Sequence, residues 1–305
     1  MKTSTKWFVV IASVLVFGGL MMTLFFYLVF RDITDRDIEV TKGSAGKIAL
    51  IELKGVILTS EDVVGQFKKF REDRSIKGIL FRVDSPGGGV AASQEIYEEV
   101  RKTRDAGKPV VVSMGSVAAS GGYYVSCGSN KIVANPGTLT GSIGVISQFM
   151  HFDPLMEKIG VGVNTIKSGK FKDAGNPFRE MTKEDKSYFQ ELMDEVHHQF
   201  ISVVETERHL DHDTVVKYSD GRVFTGEQAM HLGLVDTLGT YEDAINIAAA
   251  LAGVKGKPTI VKERKRGLTL FERLFGEVKI PDLLGLKDEL LNQPILQYKM
   301  MPGFN

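Results

Sequence analysis

Residues 114–129 read MGSVAASGGYYVSCGS, a run of small side chains that contains Ser116, Ser120 and Ser126. Ser120, in Ala118-Ala119-Ser120-Gly121-Gly122, is placed for nucleophilic chemistry, because the two glycines leave the backbone open to a substrate. If Ser120 opens a helix, its hydroxyl stands at the positive end of the dipole. The structural reading weighs as much: small residues let a helix start lie against a strand, and serine caps helices well. A serine hydroxyl is inert without a neighbour that takes its proton. No G-x-S-x-G segment nominates this serine for a histidine triad, although triad members meet only in space.

Lysine is the alternative base. A free lysine titrates near 10.4, so work near neutral pH requires a downward shift of about 3 units, roughly 4 kcal/mol. Burial against apolar groups supplies such a shift, so the base should lack a carboxylate partner. Residues 166–178, IKSGKFKDAGNPF, offer Lys167, Lys170 and Lys172. Lys172 follows Phe171, which suits a base, and precedes Asp173, which does not; three lysines in a polar loop equally describe a solvated surface. The six histidines show no metal-binding spacing, and His197 and His198, adjacent on a helix, point in different directions. With Cys127 as the single cysteine, no zinc site is expected, and neither a metal nor a cofactor is called for.

These residues need a scaffold. Apolar, β-branched runs at 47–53, 78–83, 109–114 and 131–134 read as buried strands. Residues 90–105 read as a helix behind Pro86-Gly87-Gly88-Gly89, a loop able to present N–H groups at a helix N-terminus. Thr182 with Asp185 makes a capping box for a long helix that carries Phe189, Leu192, Met193, Val196, Phe200 and Val203 at helical spacing. A further helix spans 240–252. Strands alternating with helices predict an α/β domain with a largely parallel sheet.

At the N-terminus, Trp7 to Phe30 holds 24 residues without a charge. As a helix this run spans roughly 36 Å, enough to cross a hydrocarbon core. It exceeds a signal-peptide h-region and lacks an A-x-A cleavage site, so it reads as a retained anchor over 7–30. Residues 31–45 then form a polar stalk, 46–262 the folded domain, and 263–305 a tail with no core of its own. A short N-terminal tail before a large soluble body favours the N-terminus inside and the body outside the cytoplasm. The 38 basic and 38 acidic residues cancel, so no nucleic-acid partner is indicated.

Five segments in order resemble the bacterial signal peptide peptidases of the SppA type, in their short single-domain form. They are FRVDSPGGGV (81–90), VVVSMGSVAASGGYYVS (110–126), NPGTLTGSIGVI (135–146), IKSGKFKDAGNPFREMT (166–182) and GRVFTGEQAMHLGLVD (221–236). The resemblance covers about residues 46 to 260, and the anchor matches as well. It implies a ClpP/crotonase-like fold and a Ser/Lys dyad, with Ser120 as nucleophile, Lys172 as general base and Ser142 orienting the lysine. It further implies backbone N–H groups of Gly87 and Gly121 at the oxyanion, and ring- or dome-shaped homo-oligomers on the bacterial cytoplasmic membrane. Active sites would be shared between subunits, and the substrates would be signal peptides left after cleavage and other apolar peptides. The tail would then serve a subunit contact or be partly disordered. Three rival readings are a crotonase-type acyl-CoA enzyme with a carboxylate base, a Ser/Lys membrane protease acting on a stomatin-like partner, and a non-catalytic membrane scaffold.

Overall fold

Buried strands of β-branched residues can pair in parallel only where helices cover both faces of the sheet. That requirement organises the chain. The computed structural model describes residues 17–23, 38–41, 43, 45–263 and 297–299. Contacts divide the chain into two units, residues 1–40 with 262–286 and residues 41–261 with 287–305. In the first unit the described residues are a helical stretch over 17–23, most of β1 (Ile38–Thr41) and the last residues of β10. β1 lies inside the segment read as a stalk. Among the described residues no helix is long and apolar enough to cross a membrane. The anchor read over 7–30 lies, apart from 17–23, outside the described residues. So do part of the stalk 31–45 and nearly all of the tail 263–305.

The second unit continues with β2 (Lys47–Lys54), α1 (Glu61–Glu72), β3 (Ile76–Ser85) and β4 (Gly87–Gly89), then α2 (Val90–Asp105), β5 (Val110–Ala119) and α3 (Gly121–Cys127). Next come β6 (Lys131–Ala134), β7 (Leu139–Gly141), α4 (Asp153–Lys158), α5 (Lys183–Arg208) and α6 (His212–Tyr218). β8 (Val223–Thr225), α7 (Gly226–His231), β9 (Thr237–Leu238), α8 (Tyr241–Leu251), β10 (Thr259–Glu263) and β11 (Gln297–Lys299) complete it. The sheet order is β10-β2-β3-β5-β6-β9. β2, β3, β5, β6 and β9 pair in parallel, and β7 leaves β5 in parallel before turning antiparallel against β8.

Alternation along the strands distributes the core over both faces. Ile79, Phe81 and Val83 face the larger cluster with Phe67, Ile96, Tyr123 and Phe200, where Phe67 and Phe81 meet edge to face at 5.1 Å. Leu80, with Ile48, Leu50 and Val111, faces Ala244, Ile245 and Ala248 of α8. Each such side chain contributes roughly 1.5–3 kcal/mol on burial. The expected helices appear where periodicity put them: α2 spans Val90–Asp105, and α5 opens on a complete Thr182/Asp185 capping box. The Gly87–Gly89 segment differs from expectation. It is a short strand, held on one side by Ile57, whose N–H donates to Gly87 O at 2.9 Å and whose carbonyl accepts from Gly89 N at 2.7 Å.

Candidate active site

β5 runs through the small residues Ala118 and Ala119 and ends at Ser120, which sits at φ 53° and ψ −117°. A non-glycine residue there costs of order 1–3 kcal/mol and persists only where the surroundings enforce it. They do so here: Ser120 N–H donates to Gly141 O at 2.7 Å, and its carbonyl accepts from Tyr124 N–H at 2.8 Å as α3 begins. The result is a strand–elbow–helix turn without the G-x-S-x-G signature. The glycines after it are obligatory. A Cβ on Gly121 would come within 2.7 Å of Ser93 Oγ, and one on Gly122 within 2.6 Å of the Ser85 carbonyl. The small residues of this stretch are therefore accounted for by close packing.

Ser120 is 1% exposed, and its hydroxyl has no hydrogen-bond partner among the described residues. An orphaned buried hydroxyl is an uncompensated cost in a stable fold, which marks it for a purpose other than packing. Ser142 lies beside it. Ala119 pairs with Gly141, and Ser142 follows at φ 50°, its N–H donating to Arg222 O at 2.8 Å.

Gly87 and Gly121 come together as well. An ideal Cβ on Gly87 would lie 2.7 Å from Gly121 N. The Gly87 N–H, however, donates to Ser85 Oγ at 3.1 Å. Gly88 is the residue whose N–H and carbonyl face the opposite side from Ile57, by the alternation of strand hydrogen bonding, and it pairs with Tyr298 of β11. The spacing of the P-G-G-G run could not distinguish these two glycines.

Lys172 is not brought to Ser120 within one chain: Lys172 is exposed, and no group reaches the serine hydroxyl. The lysine lies in an arm of turns where Asp173 is occupied by others. Lys167 donates to Asp173 Oδ1 at 2.5 Å, and Arg179 binds Asp173 Oδ2 at 3.0 Å and Asp185 Oδ2 at 2.6 Å. Hydrogen bonds from Arg179 and then Lys167 hold the Asp173 carboxyl down at about 2. Among the described residues neither Lys170 nor Lys172 has a carboxylate partner. The other candidate groups are accounted for structurally. Cys127 is fully buried, and burial pushes its thiol up to about 12. Asp84 accepts the Val117 N–H at 3.1 Å, and buried Glu99 pairs with Arg71, so neither is a free base of the crotonase kind. A cavity of about 710 Å³ lies beyond Tyr124, lined by Gln94, Tyr97, Glu98 and His198 rather than by Ser120.

A buried serine on a strained elbow, in a parallel α/β fold with a glycine strand alongside, is an arrangement a serine peptidase can use. The comparisons give the family. The model of peptidase family S49 matches residues 102–255, and the Clp protease model matches residues 52–138, in keeping with a ClpP-like fold. "Putative protease slr0021" of Synechocystis sp. is 46% identical over 209 residues, 68% of this chain and 75% of that one. "Putative signal peptide peptidase SppA" of Enterococcus faecium is 36% identical over 288 residues, 90% of this chain and 83% of that one. "Protease 4" of Salmonella typhi is 37% identical over 230 residues, which is 72% of this chain but only 37% of that longer protein. The chain belongs to peptidase family S49 and is a serine protease.

Proposed function

We propose that this protein is a membrane-anchored endopeptidase that degrades cleaved signal peptides, using Ser120 as nucleophile and Lys172 of a neighbouring copy as general base. The observation that carries the reading is the Ser120 hydroxyl, buried and without a partner among the described residues. Lys172 is the matching half, a lysine without a counter-ion on an exposed arm. That arm and its approach expose Met150, Phe152, Leu155, Ile159, Ile166 and Phe171, an apolar surface of the kind a second copy covers.

In the assembled site neutral Lys172 takes the Ser120 proton as Oγ attacks a peptide carbonyl. The N–H groups of Gly121 and Gly88 receive the oxyanion, each such donor worth about 3–4 kcal/mol. Ser142, adjacent to the elbow, orients the lysine. The proton passes to the leaving amine, and a water activated by the same lysine hydrolyses the ester. The apolar run 7–30 ties the enzyme to lipid at the bacterial cytoplasmic membrane, N-terminus inside and protease domain outside, as a ring- or dome-shaped homo-oligomer. The name of the Enterococcus relative supports signal peptides as the substrates.

Complementation tests the shared site. Ser120→Ala and Lys172→Ala are each inactive, and co-assembly at equal amounts restores activity at about a quarter of the interfaces, those joining an intact serine to an intact lysine. Mixed assemblies with no activity would place both residues in one chain or dismiss the dyad.

A further inference from the structure

β5 does not run straight to the serine. Over Val111–Ser113 it pairs with Lys131–Val133 of β6, and over Val117–Ala119 it pairs with Leu139–Gly141 of β7. Between these stretches it also slips against β3. Val83 lies opposite Met114, but Ser85 lies opposite Ala118, so β5 spends four residues where β3 spends two. The surplus is taken up at Gly115–Val117, a bulge that re-aims the end of the strand. Side chains of two other segments hold it. Asp84 Oδ1 accepts the Val117 N–H at 3.1 Å, and buried Thr138 donates its hydroxyl to the Gly115 carbonyl at 2.8 Å. Asp84 presses so closely on the bulge that a Cβ on Gly115 would come within 2.5 Å of its Cγ.

We propose that Asp84 is a positioning residue for the peptidase reaction: its carboxylate fixes the bulge, and the bulge fixes where Ser120 Oγ stands. The proposal rests on the Ser120 reading, since it concerns the placing of that hydroxyl. Val117, Ala118 and Ala119 run extended into Ser120, so a shift at Val117 is passed to the serine with little slack. Thr140 secures the step between, donating its hydroxyl to the Ala118 carbonyl at 2.7 Å. An acceptor needed only to satisfy a backbone N–H could serve anywhere on the strand, as Asn130 does at the far end of β5, where its Oδ1 accepts the Val110 N–H at 2.8 Å. Asp84 acts instead where β5 exchanges β6 for β7 and loses register with β3. The role is geometric. The Val117 N–H requires an oxygen acceptor, and a carboxamide oxygen supplies one as well as a carboxylate does, whereas proton transfer requires the acid. Attack needs the serine oxygen within about 3–3.5 Å of the substrate carbonyl carbon, and a misplacement of about 1 Å costs on the order of 100-fold in rate.

Steady-state hydrolysis of a fluorogenic peptide by the full-length protein, with thermal unfolding alongside, tests this. Asp84→Ala lowers kcat about 100-fold and leaves KM within about two-fold of wild type. Asp84→Asn keeps an acceptor for the Val117 N–H and stays within about three-fold of wild-type kcat. Asn130→Ala removes an equivalent acceptor at the far end of β5; it lowers Tm and leaves kcat within about two-fold. Thr138→Val keeps the side-chain shape, loses the bond to Gly115 and lowers kcat about ten-fold, which carries the prediction if Asp84→Ala does not fold. Wild-type kcat in Asp84→Ala, or in Thr138→Val where that variant stands in, overturns the proposal, and so does a change confined to KM. Asp84→Asn as inactive as Asp84→Ala overturns it in favour of a charge or proton-transfer role. An equal loss of kcat in Asn130→Ala overturns it by reducing the effect to stability. Ser120→Ala separates the two levels: if Ser120→Ala is inactive while Asp84→Ala is not, the positioning role alone falls. If Ser120→Ala hydrolyses peptide as wild type does, the Ser120 reading falls and takes the proposal with it.

Discussion

Replacing Gly87 by alanine separates backbone strain from obstruction of the groove, because Gly107 provides a matched control. Gly87 has φ +97° and Gly107 has φ +81°, so alanine at either position forces a left-handed backbone on a residue with a Cβ. That costs about 1–2 kcal/mol at each site. For a chain of this size it lowers Tm by about 2–8 °C. The surroundings differ completely. A Cβ on Gly107 meets nothing within 4 Å, whereas one on Gly87 lies 1.8 Å from the Tyr298 carbonyl oxygen, well inside contact. Gly87→Ala therefore also unseats Tyr298, forfeiting about 1.5–3 kcal/mol of aromatic burial. It also keeps a substrate carbonyl from reaching the oxyanion donors, a loss of at least about 100-fold in kcat/KM. Hydrolysis of a fluorogenic peptide and thermal unfolding by far-ultraviolet circular dichroism read the two effects separately. Gly107→Ala loses stability and keeps wild-type kcat/KM; Gly87→Ala loses both. If Gly87→Ala cleaves peptide as well as Gly107→Ala, the acyl carbonyl does not lie against Gly87, and the groove has been placed on the wrong side of the elbow.

The arm carrying Lys172 unlatches in acid. The Asp173 and Asp185 carboxyls are both depressed by hydrogen bonds from Arg179, so their contribution is complete above the ordinary value of 3.8 and disappears as pH falls through the folded values, about 2 for Asp173. Pepsin cutting within residues 166–185, taken relative to its cutting of an unstructured reference peptide at the same pH, rises between about pH 4 and pH 2; a ratio that does not change with pH would dismiss the latch. Cys127, its thiol pushed up to about 12 by burial, resists iodoacetamide in the native enzyme at pH 8 and labels fully only after denaturation. Rapid labelling of the native enzyme would show that α3 is less well packed than described.

Much of the scaffold was legible because its signals are local and repeated. The runs at 78–83 and 109–114 are central parallel strands, and the Thr182/Asp185 pair caps α5 with both of its hydrogen bonds formed. What escaped depended on contacts distant in sequence. Gln-Tyr-Lys at 297–299 has no periodicity of its own, and among the described residues Gly88 and Ile146, about 210 and 150 residues away, make it a strand. The P-G-G-G segment read as a loop because glycine carries no strand propensity; Ile57 and Tyr298, one on each side, impose the extended form. Lys172 could not be chosen over Lys167 by residue type. Asp173 engages Lys167 and Arg179, but among the described residues neither Lys170 nor Lys172 has a carboxylate partner, so the choice of Lys172 rests on the resemblance. Ser120 and Lys172 were joined by likeness to known sequences, and no contact among the described residues joins them.

The way β11 is held has a consequence for what can enter. Its neighbours on both sides offer main-chain groups, Gly88 on one and Ile146 on the other, so an occupant is gripped by its backbone before its side chains are consulted. A helix satisfies its own N–H and C=O groups and has none to offer either wall. An apolar helix must therefore unwind over several residues before it can be cut, exchanging each internal hydrogen bond for one with the groove. Under the proposed function, fold rather than sequence is then the first filter: segments that are already extended, or cheaply unwound, are the expected substrates, and stably folded chains are spared.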